Sequence, residues 1–132
     1  MLSQDAGTRP TAIEGTGCVR PRLLSLGPDR PMLLSGGRMC VAHITGLFVW
    51  VNPTGLPNAR WQRRSLSYEH NLRAPASERF DERVNASDYF ETQAYTSLMQ
   101  VGAREAFVTY QRFWNGSKCC SPSTGYGMRI SV

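Results

Sequence analysis

Arginine is the residue type in this chain whose number and placement most directly suggest chemistry. Of its 132 residues, 14 are arginine and one is lysine, and the first 64 positions hold eight arginines against three acids. A guanidinium binds a carboxylate through two parallel hydrogen bonds, which an ammonium group cannot do. The composition therefore favours a small anionic ligand over nucleic acid, although a general preference for arginine codons would give the same excess.

Cysteine and histidine spacings indicate neither a metal site nor a catalytic triad. The four cysteines stand at positions 18, 40, 119 and 120 and form no Cys-x-x-Cys pair. A zinc site is therefore not expected, and no cofactor is predicted. His43 and His70 lie far from each other and from any serine or cysteine in a suitable motif, and the segment around His70 is interpreted as a turn.

Glycine and proline divide the chain into short segments that are typical of β-strands. Twelve glycines and eight prolines argue against long helices. The pattern predicts seven strands, at 20–26, 31–35, 46–52, 61–67, 95–101, 106–110 and 127–132. Their nearly even spacing predicts an all-β fold made of antiparallel four-stranded meanders.

The same pattern predicts the organisation of the chain. Residues 1–17 are expected to be a flexible leader, and residues 18–132 a single small β domain. Within that domain, 18–67 forms one meander, 68–93 a long charged surface loop, and 94–132 an incomplete second meander. The N-terminus lacks the apolar core of a signal peptide, and no apolar run is long enough to span a membrane.

Two stretches resemble the later part of sialidase-like (BNR or Asp-box) β-propellers. The first is GGRMCVAHITGLFVWVNPTGLPNARW, at 36–61, and the second is AYTSLMQVGAREAFVTY, at 94–110. The turn Asn52-Pro53-Thr54-Gly55 followed by Trp61 resembles an Asp-box, with asparagine and threonine in place of serine and aspartate and a longer gap to the tryptophan. In the family this motif is structural, so Asn52 is expected to tie the turn and Trp61 to pack between strands.

The resemblance implies about one and a half blades of a six-bladed propeller and gives three residues a role. Arg38 matches an arginine that holds the carboxylate of the sugar, and Arg20 is a second candidate for this clamp. Tyr95 matches the nucleophilic tyrosine, because a neutral phenol can approach the anomeric carbon beside a carboxylate that would repel Asp or Glu. Such a tyrosine needs a carboxylate as base, since its pKa is otherwise about 10; Glu91 is close in sequence but is not assigned that role.

The function implied is that of a fragment of a sialidase-like glycoside hydrolase acting on terminal sialic acid or related acidic sugars. On its own the fragment is expected to be inactive, because one and a half blades cannot close a ring or cover their sheet edges. The alternatives are a non-catalytic β-rich module that binds an acidic glycan or a protein, and a remnant without any ligand. The expected partner is a sialylated or acidic glycan, with no nucleic acid and no membrane insertion.

Overall fold

The protein folds into two antiparallel β-sheets and one short α-helix. The computed structural model describes residues 19–41, 44–56, 59–80, 95–113 and 123–132, with the backbone alone at 19–20, 38–41, 44–45, 113 and 123. Its elements are β1 (Val19–Ser25), β2 (Met32–Val41), β3 (Ile44–Asn52), β4 (Gln62–Ser65), α1 (Leu66–Arg73), a 3-10 helix (Ala76–Glu78), β5 (Thr96–Gly102), β6 (Glu105–Phe113) and β7 (Ser123–Ser131). Sheet A has the order β1-β2-β3-β4 and sheet B the order β5-β6-β7. The all-β class and the antiparallel meanders are thus confirmed, while the propeller arrangement stays a prediction.

The turn between β3 and β4 is held by the side chain of Asn52. Its Oδ1 accepts hydrogen bonds from the backbone N–H of Thr54 at 3.2 Å and of Gly55 at 2.9 Å, and its Nδ2 donates to the carbonyl of Leu56 at 2.8 Å. Gly55 adopts a φ of 72°, and a Cβ there would overlap the carbonyl oxygen of Arg30, so only glycine fits. The structural role expected of Asn52 is confirmed. Trp61 is half-buried just before β4, and its packing between strands stays a prediction.

Strand β2 is longer than the sequence predicts. The glycines Gly36 and Gly37 were expected to end it, but they pair with Phe48 and Leu47 of β3, and the ladder continues to Val41. Glycine weakens a strand without breaking its hydrogen bonds, because its backbone groups are intact. The register shifts between Gly37 and Met39, so that Arg38 lies at a bulge inside the strand rather than at its end.

The segment after β4 is a helix where the sequence predicts the end of a strand and then a loop. Strand β4 ends at Ser65, whose Oγ accepts a hydrogen bond of 3.1 Å from the backbone N–H of Tyr68 and caps α1. The Oγ of Ser67 also accepts a hydrogen bond of 3.0 Å from the backbone N–H of Leu47 in β3. A helix of eight residues is marginal in isolation, so contacts with sheet A, which the local pattern does not reveal, decide its formation.

One hydrophobic core joins the two sheets. It contains buried residues of both sheets, of the turn after β1, of α1 and of the segment after the 3-10 helix: Leu26, Leu33, Leu47, Val49, Val51, Leu66, Phe80, Ala106, Val108, Tyr110 and Ile130. Polar contacts also cross between the two sheets. The hydroxyls of Ser35 and Thr96 share a hydrogen bond of 2.7 Å, and Nη1 of Arg64 donates to the carbonyl of Ser131 at 2.9 Å. The described parts of sheets A and B therefore form one packed unit.

Candidate functional site

The two arginine candidates lie on neighbouring strands of sheet A. Val19 of β1 pairs with Gly37 of β2, and Arg20 and Arg38 are the next residues after this pair on their respective strands. Because the two strands are antiparallel, the arginines lie on opposite sides of this pair, Arg20 in the irregular stretch towards Ser35 and Arg38 at the bulge before Met39. Their side chains lie outside the described part of the structure, so the carboxylate clamp stays a prediction.

Tyr95 stands at the same end of the molecule as these arginines. It immediately precedes Thr96, whose hydroxyl bonds to Ser35 of β2, and Ser35 is three residues before Arg38, or about 10 Å along an extended strand. Further along β5, Nε2 of Gln100 contacts the carbonyl of Leu26 at 3.5 Å, which fixes the direction of β5. The fold thus brings Tyr95 towards the strand positions of the arginines. The side chain of Tyr95 is 45% exposed, so it is accessible from solvent.

Tyr95 also lines a cleft of about 480 Å³ on the outer face of sheet B, the face that points away from sheet A. Alternate residues of a strand share one face. Its lining includes five residues that this alternation places on the outer face, Tyr95, Ser97, Phe107, Thr109 and Gln111, together with Thr96, Tyr110, Gly125, Tyr126 and Gly127. The cleft is shallow and widely open to solvent, so a ligand would lie along the sheet surface rather than be enclosed.

Two glycines of β7 lie under the cleft and differ in what covers them. A Cβ at Gly127 would overlap the ring of Phe107, which lies across that position, whereas a Cβ at Gly125 would have no atom within 4 Å. The Phe107 ring therefore covers one glycine and leaves the other bare. The floor of the cleft at Gly125 is open to solvent, with the aromatic ring beside it.

The two glycines should respond in opposite ways to alanine. Gly127→Ala is expected to lower the free energy of unfolding by about 1 to 2 kcal/mol, because the Phe107 ring must leave its place. Gly125→Ala should leave stability unchanged or raise it by up to about 0.5 kcal/mol, since the new methyl group meets nothing and the unfolded chain loses freedom. Urea unfolding of both variants measures the difference. Equal effects would show that Phe107 does not lie over Gly127.

A second cluster of polar and aromatic side chains is buried between α1 and sheet B. His70 of α1 is 5% exposed; its Nδ1 lies 3.0 Å from Oη of Tyr110, and its Nε2 lies 2.9 Å from the carbonyl oxygen of Glu78. A carbonyl can only accept, so Nε2 carries the proton and donates it, and in the neutral ring Nδ1 then accepts from the hydroxyl of Tyr110. The ring of His70 also meets the ring of Tyr126 edge to face at 4.6 Å.

The tyrosines of this cluster are held in the neutral form. Burial is the main cause that raises the pKa of Tyr110 to about 12. Burial also raises the pKa of Tyr126, and the carboxylate of Glu78 raises it further; the hydroxyl of Tyr126 donates to Oε2 of Glu78 at 3.2 Å. A raised pKa opposes the phenolate that a nucleophile requires, so this cluster suits a structural role better than catalysis.

The sequence reasoning missed this cluster because it interpreted the segment Glu69-His70-Asn71 as a turn. These residues lie in α1, and the side chain of Asn71 makes two hydrogen bonds to the backbone of Phe80, accepting at 2.7 Å and donating at 2.9 Å. The usable signal was the helical spacing of Leu66 and His70, which are four residues apart and both buried. The side chains of this helix therefore hold the segment 76–80 against sheet B.

Metal binding and membrane spanning find no support in the part of the chain that the structure describes. Among residues 19–41, 44–56, 59–80, 95–113 and 123–132, no three His, Cys, Asp or Glu residues lie close enough together to hold a metal ion. No helix within these ranges has the length and apolar character needed to cross a bilayer. Cys18, Cys119, Cys120, His43 and Glu91 lie outside the described residues.

The fold and the site define a small all-β protein of two packed antiparallel sheets, with a tyrosine at the mouth of an open cleft. Comparison of the chain with protein-family models, with curated proteins and with solved structures gives no match. The resemblance to sialidase-like propellers therefore enters the functional argument as a proposal.

Proposed function

We propose that this protein is a β-rich module of the sialidase-like type that binds terminal sialic acid or related acidic sugars. The observation that carries the proposal is the convergence of Tyr95 with the strand of Arg38, through the 2.7 Å hydrogen bond between Thr96 and Ser35. The resemblance implies that Tyr95 and Arg38 contact the same sugar. They are far apart in sequence, but the strand β5, which Tyr95 precedes, and the strand β2, which contains Arg38, are neighbours in the fold. The excess of arginines in the first 64 residues supports an anionic ligand.

The arrangement suits a sugar that bears a carboxylate. A carboxylate that enters a cleft loses hydration, and guanidinium groups offset this cost because their hydrogen bonds are charge-assisted. Arg38 at its bulge and Arg20 on the adjacent strand are the clamp in this proposal. In this proposal the same sugar reaches the ring of Tyr95 across the edge of sheet B, where β5 begins.

Hydrolysis of the glycosidic bond is the second candidate function, and the accessibility of Tyr95 favours it. The tyrosine oxygen would bond to the anomeric carbon as the bond to the leaving oxygen breaks, a carboxylate would take the phenol proton, and an acid would protonate the leaving oxygen; water would then release the sugar from the tyrosine. We place binding before turnover, because binding requires only the cleft and the arginines, whereas turnover also requires an acid and a base at the glycosidic bond.

Calorimetric titration with a trisaccharide that ends in sialic acid tests the binding proposal. Arg38→Gln is expected to weaken binding by about tenfold, because it removes the charge-assisted contact. Arg60→Gln, which removes the same charge from the exposed turn before β4, is the matched control and should bind as the unaltered protein does. Failure of the unaltered protein to bind, or equal binding by both variants, would overturn the proposal.

Tyr95→Phe separates the two candidate functions. A fluorogenic sialoside measures turnover, and the titration above measures affinity. If the protein hydrolyses the sialoside, Tyr95→Phe should abolish turnover and change the affinity by less than about threefold, since the ring is kept and one hydroxyl is lost. Turnover that survives in Tyr95→Phe would exclude this tyrosine as the nucleophile.

A further inference from the structure

The outer face of sheet B extends past the proposed position of the terminal sugar at Tyr95, and this further surface has features of a carbohydrate site. The cleft runs from Tyr95 past the open floor at Gly125 to the ring of Phe107. An aromatic ring beside an open floor suits the apolar face of a sugar ring. The hydroxyls of Ser97 and Thr109 lie in the same cleft and offer hydrogen bonds to sugar hydroxyls.

A cation stands at the far end of this face. Arg129 of β7 pairs with Phe107 in the ladder, so the two side chains share the outer face. Along β7, the distance from Gly125 to Arg129 is about 13 Å, which is longer than a single sugar ring. The side chain of Arg129 is 71% exposed, and its Nη1 lies 3.8 Å from Oε2 of Glu105, beyond hydrogen-bond distance. An exposed ion pair of this kind contributes little to stability, so a ligand carboxylate can compete with Glu105 for the guanidinium of Arg129.

We infer that the outer face of sheet B binds an oligosaccharide with acid groups on more than one sugar, with its chain in the cleft beside Phe107 and a further carboxylate on Arg129. The inference rests on the proposed function, because the terminal sugar of this ligand is the one placed at Tyr95 and Arg38. The exposed side chains of Met99 and Val101 continue the same face and would contact apolar parts of the ligand.

The test compares sialic acid with its α2,8-linked trimer by calorimetric titration. The trimer should bind at least about tenfold more tightly than the monomer, because its later sugars add contacts in the cleft and at Arg129. Gly125→Leu fills the floor where no atom stands within 4 Å, and Arg129→Gln removes the cation. In both variants the affinity for the trimer should fall close to that for the monomer, while the affinity for the monomer stays unchanged.

Two further substitutions complete the design. Ser77→Leu adds the same side chain to an exposed position of the 3-10 helix, away from the outer face of sheet B, and the trimer should still bind this variant more tightly than the monomer does. Glu105→Gln removes the carboxylate that competes for Arg129, so it should strengthen trimer binding by about two- to threefold. Circular dichroism and thermal unfolding of each variant check that the fold is retained.

The outcomes distinguish the inference from the proposed function. If the monomer and the trimer bind with equal affinity, the inference alone is overturned. The same holds if Gly125→Leu and Arg129→Gln still bind the trimer about tenfold more tightly than the monomer. Absence of binding to either sugar would overturn the proposed function and the inference with it. A dimer that dissociates in Gly125→Leu would also overturn the inference, because the face would then be covered by a second copy of the chain.

Discussion

Replacing Leu33 with alanine is expected to lower the free energy of unfolding by about 3 kcal/mol. Leu33 is fully buried in β2, where it pairs with Leu24 and Val51 on the face of sheet A that packs against sheet B. The substitution removes apolar contacts and leaves a cavity in the core that both sheets share. The midpoint of thermal unfolding should fall by about 10 °C, which differential scanning calorimetry measures.

Leu34 provides the matched control, because it is the next residue on the same strand and points to the opposite face. It is partly exposed and pairs with Leu23 and Trp50. Leu34→Ala should lower the free energy of unfolding by about 1 kcal/mol, well below the loss expected for Leu33→Ala. If Leu34→Ala cost as much as Leu33→Ala, the assignment of the inner face of sheet A would be wrong.

Replacing His70 with alanine is expected to lower the free energy of unfolding by about 3 kcal/mol. The change removes a buried ring, leaves the hydroxyl of Tyr110 and the carbonyl of Glu78 without their partner, and opens space beside Phe80. An unsatisfied buried polar group costs more than a hydrogen bond contributes, so we expect the buried hydroxyl of Tyr110 to account for more of the loss than the partly buried carbonyl of Glu78. Urea unfolding monitored by tyrosine and tryptophan fluorescence measures it.

Leu72→Ala is the control for His70→Ala, since Leu72 is on the same helix and 60% exposed. It should change the free energy of unfolding by less than about 0.5 kcal/mol. Nitrogen-15 NMR of the imidazole gives an independent readout, because Nε2 should carry the proton and Nδ1 should not. A ring protonated on Nδ1 alone would contradict the hydrogen bond from Nε2 to the carbonyl of Glu78.

The strands could be predicted because their signals are local. Residues 46–52 combine β-branched and aromatic side chains, and Asn52 with Gly55 gives the turn that follows, so β3 and its turn lie where the sequence placed them. The extension of β2 through Gly36 and Gly37 could not be predicted in the same way. Its hydrogen bonds depend on the partner strand β3, and glycine carries no side-chain preference that would indicate pairing.

The candidate site was predicted in part. The sequence indicated Tyr95 and the arginines as residues of interest, and the structure brings Tyr95 towards the strand of Arg38 through Thr96 and Ser35. The cleft beside Tyr95 could not be predicted, because it depends on where the Phe107 ring lies relative to two glycines of another strand. The buried position of His70 was missed for the same reason, since its partners come from three different elements.

The sequence by itself determined the all-β class, the order of the strands and the turn chemistry, because alternation of side chains and turn residues act within a few positions of the chain. Only the tertiary structure decided that α1 forms, that Arg38 lies at a bulge, and that one face of sheet B stays open around Gly125. These features depend on contacts between segments that are distant in sequence. Burial against a partner element can override a local preference that is worth only a fraction of a kcal/mol per residue.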